Sequence, residues 1–380
     1  MWKLPLFELN YNYKESSAVK EVLNSKWLTM GEKTIQLEED FSNYLGKKNK
    51  CIAVSSCTAA LHLSMIAAGV KKGDEVIVPS LSFIAQLNII STLGAKPILI
   101  DCKSLNNWNM NLSDIIKKIT IKTKVIVILH FAGYPCNISN DLISLCKKKN
   151  ILIIEDVAHA PGAEIDKKKC GTIGDIGCFS FFSNKNISAG EGGLVTTRHK
   201  ALEKKIRLLR SHGMTVLSLD KAKGRSINYD VLLPGFNYRI DEIRSSLASV
   251  QLKKLDKANA LRKINVLYYQ KLLKDTNIFF PFCNVDKQTI SAYHILPILL
   301  PKKIDRKKIS NFLKNNGVQT SIHYPAFWSF KEYKNIFESN LFPNTQEITS
   351  RELTLHLYPT MDKKNIKFVC DLLIGYLNER

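Results

Sequence analysis

The sequence of 380 residues has little of what marks a secreted, zinc-binding or membrane-spanning protein. Its nine cysteines are scattered and form no CxxC pair, so neither a disulfide framework nor a metal site is indicated. The first residues, MWKLPLFELNYNYKESS, contain no basic stretch followed by an apolar core, and no apolar run approaches the roughly 18 residues that cross a bilayer. We therefore expect a cytoplasmic protein without a membrane span and without a bound metal.

The sequence also lacks the motifs of a nucleic-acid-binding protein, although its formal net charge is +21. A basic balance of this kind can indicate nucleic acid, an anionic membrane or anionic small substrates. The lysines are spread along the chain in short runs beside probable turns, such as GKKNK and DKKKC, with no arginine-rich arm. We expect most of them to be solvent-exposed and expect no nucleic-acid partner. A basic nucleic-acid binder stays the most distant alternative, and steeply salt-dependent binding to a duplex would reveal it.

Apolar segments of strand length are present, and through the first 240 residues they alternate with segments of helical length. The seven strand candidates are KCIAVSS, EVIVPS, KPILID, KVIVILHF, ILIIEDV, CFSFFS and GLVTT. Continuous apolar runs separated by helices predict an α/β protein with a mainly parallel sheet that is flanked by helices. A long helical segment beginning near Asp241 then changes the pattern. The sequence therefore predicts a large α/β domain over residues 1–250 and a smaller C-terminal α+β domain over residues 251–380.

One of the strand candidates ends on a lysine. In CFSFFSNKNISAGEGGLVTT, residues 178–197, the apolar segment is followed by Ser183, Asn184 and Lys185 and then by a glycine-rich turn. A lysine held just past a buried strand is short of solvent, and desolvation disfavours its ammonium form, so its amine can become a nucleophile. On this stretch alone, a solvated lysine at a strand end is the simpler interpretation.

A second segment, SSCTAALHLSMIAAG, follows a strand and opens a helix. Free backbone N–H groups and the helix dipole make such a helix start an anion site, and Ser56, Thr58 and the small Ala59 would let a phosphate approach closely. Helix caps of this composition are common, so a purely structural cap is the alternative.

A third segment, ILIIEDVAHAPGAE, ends a strand on two carboxylates. Ligands of open α/β sheets bind at the carboxyl ends of the strands, where Asp156 could hold a positively charged ring nitrogen. Glu155 could equally cap a helix, and His159 alone is more often a packed core histidine. Together, the three segments supply a phosphate cradle, a carboxylate for a pyridinium and a lysine for the aldehyde, which are the parts needed to hold pyridoxal phosphate.

Segments along almost the whole chain carry a resemblance to a known family. They include VLNSKWLTMGEKTIQLEEDFSNYLG, SSCTAALHL, GDEVIVPSLSFIAQLNIISTLGAKPILID, EDVAHAPGA, GDIGCFSFFSNKNISAGEGGLVTT, GFNYRIDEIRSSLASVQL, VQTSIHYPAF and LTLHLYPTM. The sequence resembles the DegT/DnrJ/EryC1/StrS family of nucleotide-sugar aminotransferases, which depend on pyridoxal phosphate and have the aspartate-aminotransferase-like architecture, fold type I. The resemblance implies pyridoxal 5'-phosphate as the cofactor, with pyridoxamine phosphate as its form between the two half-reactions.

The resemblance also implies roles for individual residues. The catalytic set is Lys185, which is joined to the cofactor, Asp156, which partners the pyridine nitrogen, and His159, which lies beside the phenolic oxygen. Phe83 is similar to the aromatic residue that stacks on the cofactor ring. The phosphate contacts are implied for Cys57, Thr58, Ala59, Ser183 and Asn237. Asn237 resembles an asparagine that reaches the phosphate of a neighbouring subunit, which implies a homodimer with shared active sites.

The implied reaction moves an amino group from an amino acid, expected to be glutamate, to a keto-deoxy sugar linked to a nucleoside diphosphate. The implied pathway is the assembly of a surface polysaccharide such as O antigen, or of a glycoconjugate. Candidate substrate contacts are Trp27, Thr29, Gly31, Arg239, His323 and Tyr324. Three positions depart from the family pattern, namely Cys57, Gln86 and His356.

Two alternatives of the same fold stay open. Relatives that dehydrate a sugar carry histidine in place of the lysine, and this chain keeps Lys185. A regulatory protein that binds pyridoxal phosphate without catalysis would share the cofactor site. The nucleotide, the sugar and the carbon atom that receives the nitrogen do not follow from the sequence.

Overall fold

The structure, a computed structural model, describes residues 2–224, 228–283 and 288–379 of the chain. The helices are α1 (Tyr13–Ser25), α2 (Glu32–Tyr44), α3 (Cys57–Ala67), α4 (Ala85–Thr92), α5 (Leu112–Lys118), α6 (Asn140–Lys148), α7 (Lys200–Arg210), α8 (Ser218–Ala222), α9 (Glu242–Leu272), α10 (Arg306–Asn315), α11 (Pro343–Arg351) and α12 (Lys363–Asn378). The strands are β1 (Lys50–Val54), β2 (Glu75–Pro79), β3 (Lys96–Ile100), β4 (Cys102–Ser104), β5 (Asn107–Met110), β6 (Thr123–Leu129), β7 (Leu152–Asp156), β8 (Glu164–Ile165), β9 (Lys168–Lys169), β10 (Ile176–Ser180), β11 (Gly193–Thr197), β12 (Thr289–Ile290), β13 (Leu296–Leu299) and β14 (Glu352–Leu355).

A seven-stranded sheet forms the centre of the larger part of the molecule, with the strand order β1-β11-β10-β7-β6-β2-β3. Neighbouring strands are parallel except at β11, which is antiparallel to both β1 and β10. Each of the seven apolar segments contributes one strand, so the predicted mainly parallel sheet with flanking helices is confirmed. Because β6, β7 and β10 run in the same direction, the segments that follow them meet at one edge of the sheet.

Both faces of this sheet are covered, as continuous apolar strands require. In β2, Val76 and Val78 pack in the cluster that contains Leu61 and Leu63 of α3. Ile77, which points to the opposite face, packs in a different cluster with Leu142 of α6. Successive side chains of a strand alternate between faces, so apolar residues on both faces are needed and Val76, Ile77 and Val78 form an uninterrupted apolar run.

A separate cluster of buried side chains surrounds the β13–β14 pair. It includes Val266 and Tyr269 of α9 together with apolar residues of α10 and α12. Helix α9 begins at an N-cap, Asp241, whose side chain accepts a hydrogen bond from the Arg244 amide. The predicted domain boundary at residue 250 falls inside this continuous helix, so the division into two domains stays a prediction. Within the described residues, no helix is long and apolar enough to span a bilayer.

Glu155 at the end of β7 is fully buried and accepts four hydrogen bonds. The backbone amides of Ile173 and Gly174 donate to Oε1 at 2.8 and 2.7 Å. The Gly171 amide and His130 Nε2 lie 2.8 and 3.0 Å from Oε2. The carboxyl group therefore fastens the loop before β10 to the sheet, and it does not cap a helix, the alternative that the sequence left open.

His130, Glu155 and Cys170 are also close enough to be considered as metal ligands. His130 Nδ1 accepts a hydrogen bond from the Cys136 amide at 3.0 Å, so its proton is on Nε2 and is donated to Glu155. Both oxygens of the carboxyl group and both nitrogens of the imidazole thus have protein partners. The arrangement is that of a satisfied structural network and not of a metal centre.

Replacing Glu155 by glutamine is expected to lower the free energy of unfolding by about 2–4 kcal/mol. The new amide nitrogen would face backbone N–H donors and could not accept their hydrogen bonds. Denaturant unfolding followed by circular dichroism measures the change. Glu164→Gln, at a partly exposed ion pair with Lys169, is the control and should change stability by less than about 1 kcal/mol. Equal effects of the two variants, or restoration of stability by Zn²⁺, would contradict the structural role of Glu155.

Candidate active site

A cavity of about 400 Å³ lies at the edge of the sheet where β6, β7 and β10 end. Its walls contain eight residues that the sequence singled out: Cys57, Thr58, Phe83, Asp156, His159, Lys185, His323 and Tyr324. Parallel strands and the start of α3 bring these residues together from segments far apart in the chain. The three segments that predicted a phosphate, a pyridinium and an aldehyde site thus converge on a single cavity.

Lys185 lies five residues beyond the end of β10, because the strand is shorter than the apolar run that predicted it. The backbone turns after Ser180, and the Lys185 amide donates to the Phe182 carbonyl at 2.9 Å. Desolvation lowers the pKa of the Lys185 amine to about 8, although the nearby Asp156 carboxyl group favours the ammonium form. About a tenth of the amine is therefore uncharged at pH 7, far more than for a lysine in water, and the uncharged form is the one that acts as a nucleophile.

Asp156 is the last residue of β7 and is 6% exposed. Its Oδ2 accepts a hydrogen bond from Gln86 Nε2 at 2.7 Å, and its Oδ1 accepts one from the Ala158 amide at 3.1 Å. Burial raises the pKa of the Asp156 carboxyl group, while these two donors and the Lys185 ammonium oppose the rise. A positively charged partner at this position would favour the carboxylate, which is what a protonated pyridine nitrogen provides. Gln86, noted as a departure from the family pattern, supports this carboxyl group.

His159 is buried beside Lys185 in a defined tautomer. Its Nδ1 accepts a hydrogen bond from the Ala132 amide at 3.2 Å, so the proton is on Nε2 and points to the Tyr324 hydroxyl, 2.8 Å away. Burial, together with the neighbouring Lys185 ammonium, lowers the pKa of His159 well below its ordinary value. His159 is therefore a neutral imidazole that links the large sheet to Tyr324.

The first turn of α3 forms one end of the cavity. Ser56 is the N-cap and accepts a hydrogen bond from the Ala59 amide at 3.0 Å. The amides of Cys57 and Thr58 precede that bond at the start of the helix, where no intrahelical acceptor exists for them. Gly193 of β11 packs directly against this helix start. A larger residue would not fit there, because a Cβ at this position would lie 2.5 Å from the Ser56 backbone. The chain thus presents two backbone donors of a helix start to the cavity, as an anion site needs.

The remaining phosphate candidates do not line the cavity. The Ala59 amide already has Ser56 as its acceptor. The Ser183 hydroxyl donates to the Gly190 carbonyl at 3.2 Å, and its oxygen can still accept. Asn237 is exposed, in an isolated bridge with Ser211. Their contacts with a phosphate stay predictions.

Of the six predicted substrate contacts, His323 and Tyr324 line the cavity, and Trp27, Thr29, Gly31 and Arg239 do not. The Gly31 amide donates to Glu242 Oε1 at 2.8 Å, and a Cβ at Gly31 would lie 2.5 Å from the Trp27 indole nitrogen. This glycine therefore has a packing role within the chain. Roles of these four residues toward a substrate stay predictions.

Two site residues were not found from the sequence. His294 lies with its Nε2 3.2 Å from Lys185 Nζ, and Asn186 contacts the other nitrogen of the same ring at 2.9 Å. His294 comes from the segment before β13, more than a hundred residues beyond Lys185, in the apolar run AYHILPILLP. No local pattern distinguishes such a histidine from one buried in a core. Asn186 directly follows the lysine, and nothing in the sequence distinguishes it from an ordinary turn residue.

The donors and acceptors of the cavity fit pyridoxal phosphate. The helix start suits the phosphate, Asp156 suits the protonated ring nitrogen, and the Lys185 amine suits the aldehyde. Phe83 at the cavity wall is 56% exposed, which leaves its ring free to stack on another ring. The buried Asn184 Oδ1 has no hydrogen-bond donor within the described residues, so a bound molecule could supply one.

This fold, with a desolvated lysine in the same cavity as a buried carboxyl group, places the protein among the pyridoxal-phosphate-dependent transferases. Sequence comparison then gives the family. The chain belongs to the DegT/DnrJ/EryC1/StrS aminotransferase family, whose family model matches residues 10–374.

Similar proteins are known from sequence and from structure. The uncharacterized protein MJ1066 of Methanocaldococcus jannaschii is 36% identical over 373 residues, which cover 96% of this chain and 95% of that protein. The fold is similar to that of Helicobacter pylori PseC, an aminotransferase of pseudoaminic acid biosynthesis, with a TM-score of 0.91, 28% identity and coverage of 99% and 100%. The pyridoxal phosphate form of Spr1654 from Streptococcus pneumoniae, provisionally described as a sugar aminotransferase, gives a TM-score of 0.89, with 26% identity and 97% coverage of both chains.

Proposed function

We propose that the protein transfers an amino group from glutamate to a keto-deoxy sugar linked to a nucleoside diphosphate, in the biosynthesis of a surface polysaccharide or glycoconjugate. The observation that carries the proposal is the single cavity that joins the Lys185 amine, the Asp156 carboxyl group and the start of α3. Membership of a sugar aminotransferase family and the similarity to PseC support the sugar as the acceptor class.

The chain's own residues divide the work of the reaction. When bound, pyridoxal phosphate supplies an aldehyde that bonds to amines and a ring that accepts the electron pair released at the substrate carbon. Lys185 Nζ anchors the cofactor and, once free, removes the proton from the alpha carbon of the donor as a general base. With its pKa near 8, this amine can both take up and return a proton near neutral pH.

Asp156 and His159 have separate roles at the cofactor site. Asp156 would hold the ring nitrogen of the bound cofactor in its protonated form. His159 remains neutral and, with Tyr324, forms part of the cavity wall. His323 and Tyr324 are the substrate-contact candidates with direct access to this cavity.

We further propose that two chains complete each active site. Asn237 is exposed and lies outside the cavity of its own chain, as expected for a residue that serves a partner's phosphate. Val231 and Leu232, in the same segment, are more than half exposed, and burial of such apolar side chains would favour association. The surplus of basic residues would suit a substrate that carries a diphosphate.

The proposal is tested with purified protein loaded with pyridoxal phosphate. Thymidine-, uridine-, guanosine- and cytidine-diphosphate-linked keto sugars are incubated with glutamate, and the products are identified by mass spectrometry. We expect one amino sugar nucleotide and an equal amount of 2-oxoglutarate. Without glutamate, or with alanine in place of Lys185, neither product should form.

Other outcomes separate the alternatives. A deoxy sugar without nitrogen would identify a dehydratase. Tight binding of the cofactor without any reaction with glutamate would favour a regulatory protein. A protein that does not bind pyridoxal phosphate at all, as judged by its visible absorption spectrum, would contradict the transaminase proposal altogether.

A further inference from the structure

We propose that His294 is a positioning residue, which holds the free amine of Lys185 by accepting a hydrogen bond at Nε2 and so aims the amine at the reacting carbon. The inference rests on the proposed function, because it concerns the state in which the lysine is not joined to the cofactor. Lys185 Nζ lies 3.2 Å from His294 Nε2. The histidine is 2% exposed, so the contact is shielded from water.

The tautomer of His294 follows from the network behind it. Asn186 donates both hydrogens of its Nδ2, one to the Ala292 carbonyl at 2.8 Å and one to Asn259 Oδ1 at 2.7 Å. The orientation of Asn259 is fixed in turn, because its Nδ2 donates to the Pro161 carbonyl at 3.0 Å. Asn186 Oδ1 is therefore the atom that faces His294, 2.9 Å from Nδ1.

An amide oxygen can only accept, so His294 carries its proton on Nδ1 and has a lone pair on Nε2. That lone pair faces Lys185, and the lysine must be the donor. The lysine side chain has four rotatable bonds, and the hydrogen bond to the fixed Nε2 of His294 gives its amine a defined position. The acceptor belongs to a ring held by a buried contact with Asn186, which is itself fixed by its two donated hydrogen bonds, so the position of the ring does not depend on a bound cofactor.

The charged and titratable groups around His294 keep it neutral. They are the Lys185 ammonium, the His159 ring with its centroid 4.6 Å away, His323 across the cavity, and Arg262, whose guanidinium donates to the His294 carbonyl at 3.2 Å. Together with burial they lower the pKa of His294 well below its ordinary value. A neutral acceptor stabilises the ammonium form of Lys185 more than the amine form, since charge-assisted hydrogen bonds are the stronger ones. Loss of the acceptor should therefore lower the pKa of Lys185.

Three substitutions of His294 distinguish the effect of the Nε2 contact with Lys185 from that of the Nδ1 contact with Asn186. His294→Gln places an amide oxygen near the position of Nε2 and keeps an acceptor for Lys185. His294→Asn reaches only the position of Nδ1 and keeps the contact with Asn186, and His294→Leu keeps neither. His356→Gln is the control. His356 is also a buried histidine, but it contacts Tyr269 in the apolar cluster around β13 and β14.

The readout is the reactivity of Lys185 in the cofactor-free protein. Trace labelling with acetic anhydride from pH 6 to 11, with mass spectrometry of the peptide that contains Lys185, gives the midpoint of its titration. We expect a midpoint of about 8 for the wild type. It should stay within about 0.3 units in His294→Gln and fall by about one unit in His294→Asn and His294→Leu. His356→Gln should match the wild type.

A second measurement uses the loaded enzyme. The rate of the half-reaction with glutamate should fall by about tenfold in His294→Asn and His294→Leu, with the glutamate KM little changed, and His294→Gln should retain most of the rate. If the variants do not fold, ¹⁵N NMR of histidine-labelled wild-type protein decides, by whether His294 has a protonated Nδ1 and an unprotonated Nε2.

Equal midpoints in all variants, or a protonated Nε2 in the wild type, would overturn the inference. Neither result depends on catalysis. A shifted midpoint in a protein that fails to transfer amino groups would therefore count against the proposed function alone and leave the role of His294 toward Lys185 intact.

Discussion

Replacing Lys185 by alanine is expected to lower the rate of amino transfer by at least about a thousandfold, because a nucleophile and general base are removed together. His159 and His294 cannot take over the proton, because burial and their neighbours lower the pKa of both imidazoles well below the ordinary value. The cavity offers no second amine within the described residues. The methyl group of alanine also leaves space, so an added small primary amine should restore part of the rate.

The measurement is single-turnover transfer from glutamate, followed by mass spectrometry of 2-oxoglutarate. Lys148→Ala, at an exposed position in the last turn of α6, is the matched control and should behave as the wild type. Cofactor binding is measured separately by equilibrium dialysis, because the start of α3 and Asp156 remain in place. If Lys185→Ala keeps more than about a tenth of the wild-type rate, Lys185 is not the reactive amine.

The features predicted from the sequence are those that depend on local pattern. The sheet follows from continuous apolar runs of strand length, and Asp156 and Lys185 follow from polar residues placed directly after such runs. Because β7 and β10 pair in parallel, the residues that follow them lie at the same edge of the sheet. The register pairs Asp156 with Leu129, so the ends of β6 and β7 are aligned at the cavity, and it pairs Asp156 with Cys178, shortly before β10 ends at Ser180.

What was not predictable depends on contacts between distant segments. Gln86 departs from the family pattern, and only the structure shows that its amide donates to the Asp156 carboxyl group. Glu155 and Asp156 are neighbours with the same side-chain chemistry, yet they face opposite sides of the strand. Glu155 therefore accepts hydrogen bonds from the loop before β10, and Asp156 faces the cavity. The phosphate site was predicted from residue types at the start of α3, whereas Ser56 decides which amides stay available, because it already binds that of Ala59.

The Asp156 carboxyl group supports a second prediction with a large effect. Asp156→Asn should lower the single-turnover rate by roughly a hundredfold to a thousandfold, the usual cost of losing one preorganised electrostatic contact. The new amide can keep its Oδ1 at the Ala158 amide and place its Nδ2 at Gln86, provided that the Gln86 amide turns to present its oxygen. Asp114→Asn, on the first turn of α5, is the control.

The same substitution has an effect on Lys185 with a defined sign. The Asp156 carboxylate favours the ammonium form of Lys185, so it holds the pKa of the lysine above the value that desolvation alone would give. Removing the charge should therefore move the labelling midpoint of Lys185 in the cofactor-free protein below about 8. A slower Asp156→Asn variant with an unchanged midpoint would mean that Asp156 acts on the cofactor ring but does not couple to the lysine. An upward shift would contradict the proximity of the two groups on which the site depends, because the loss of a nearby negative charge lowers the pKa of an amine.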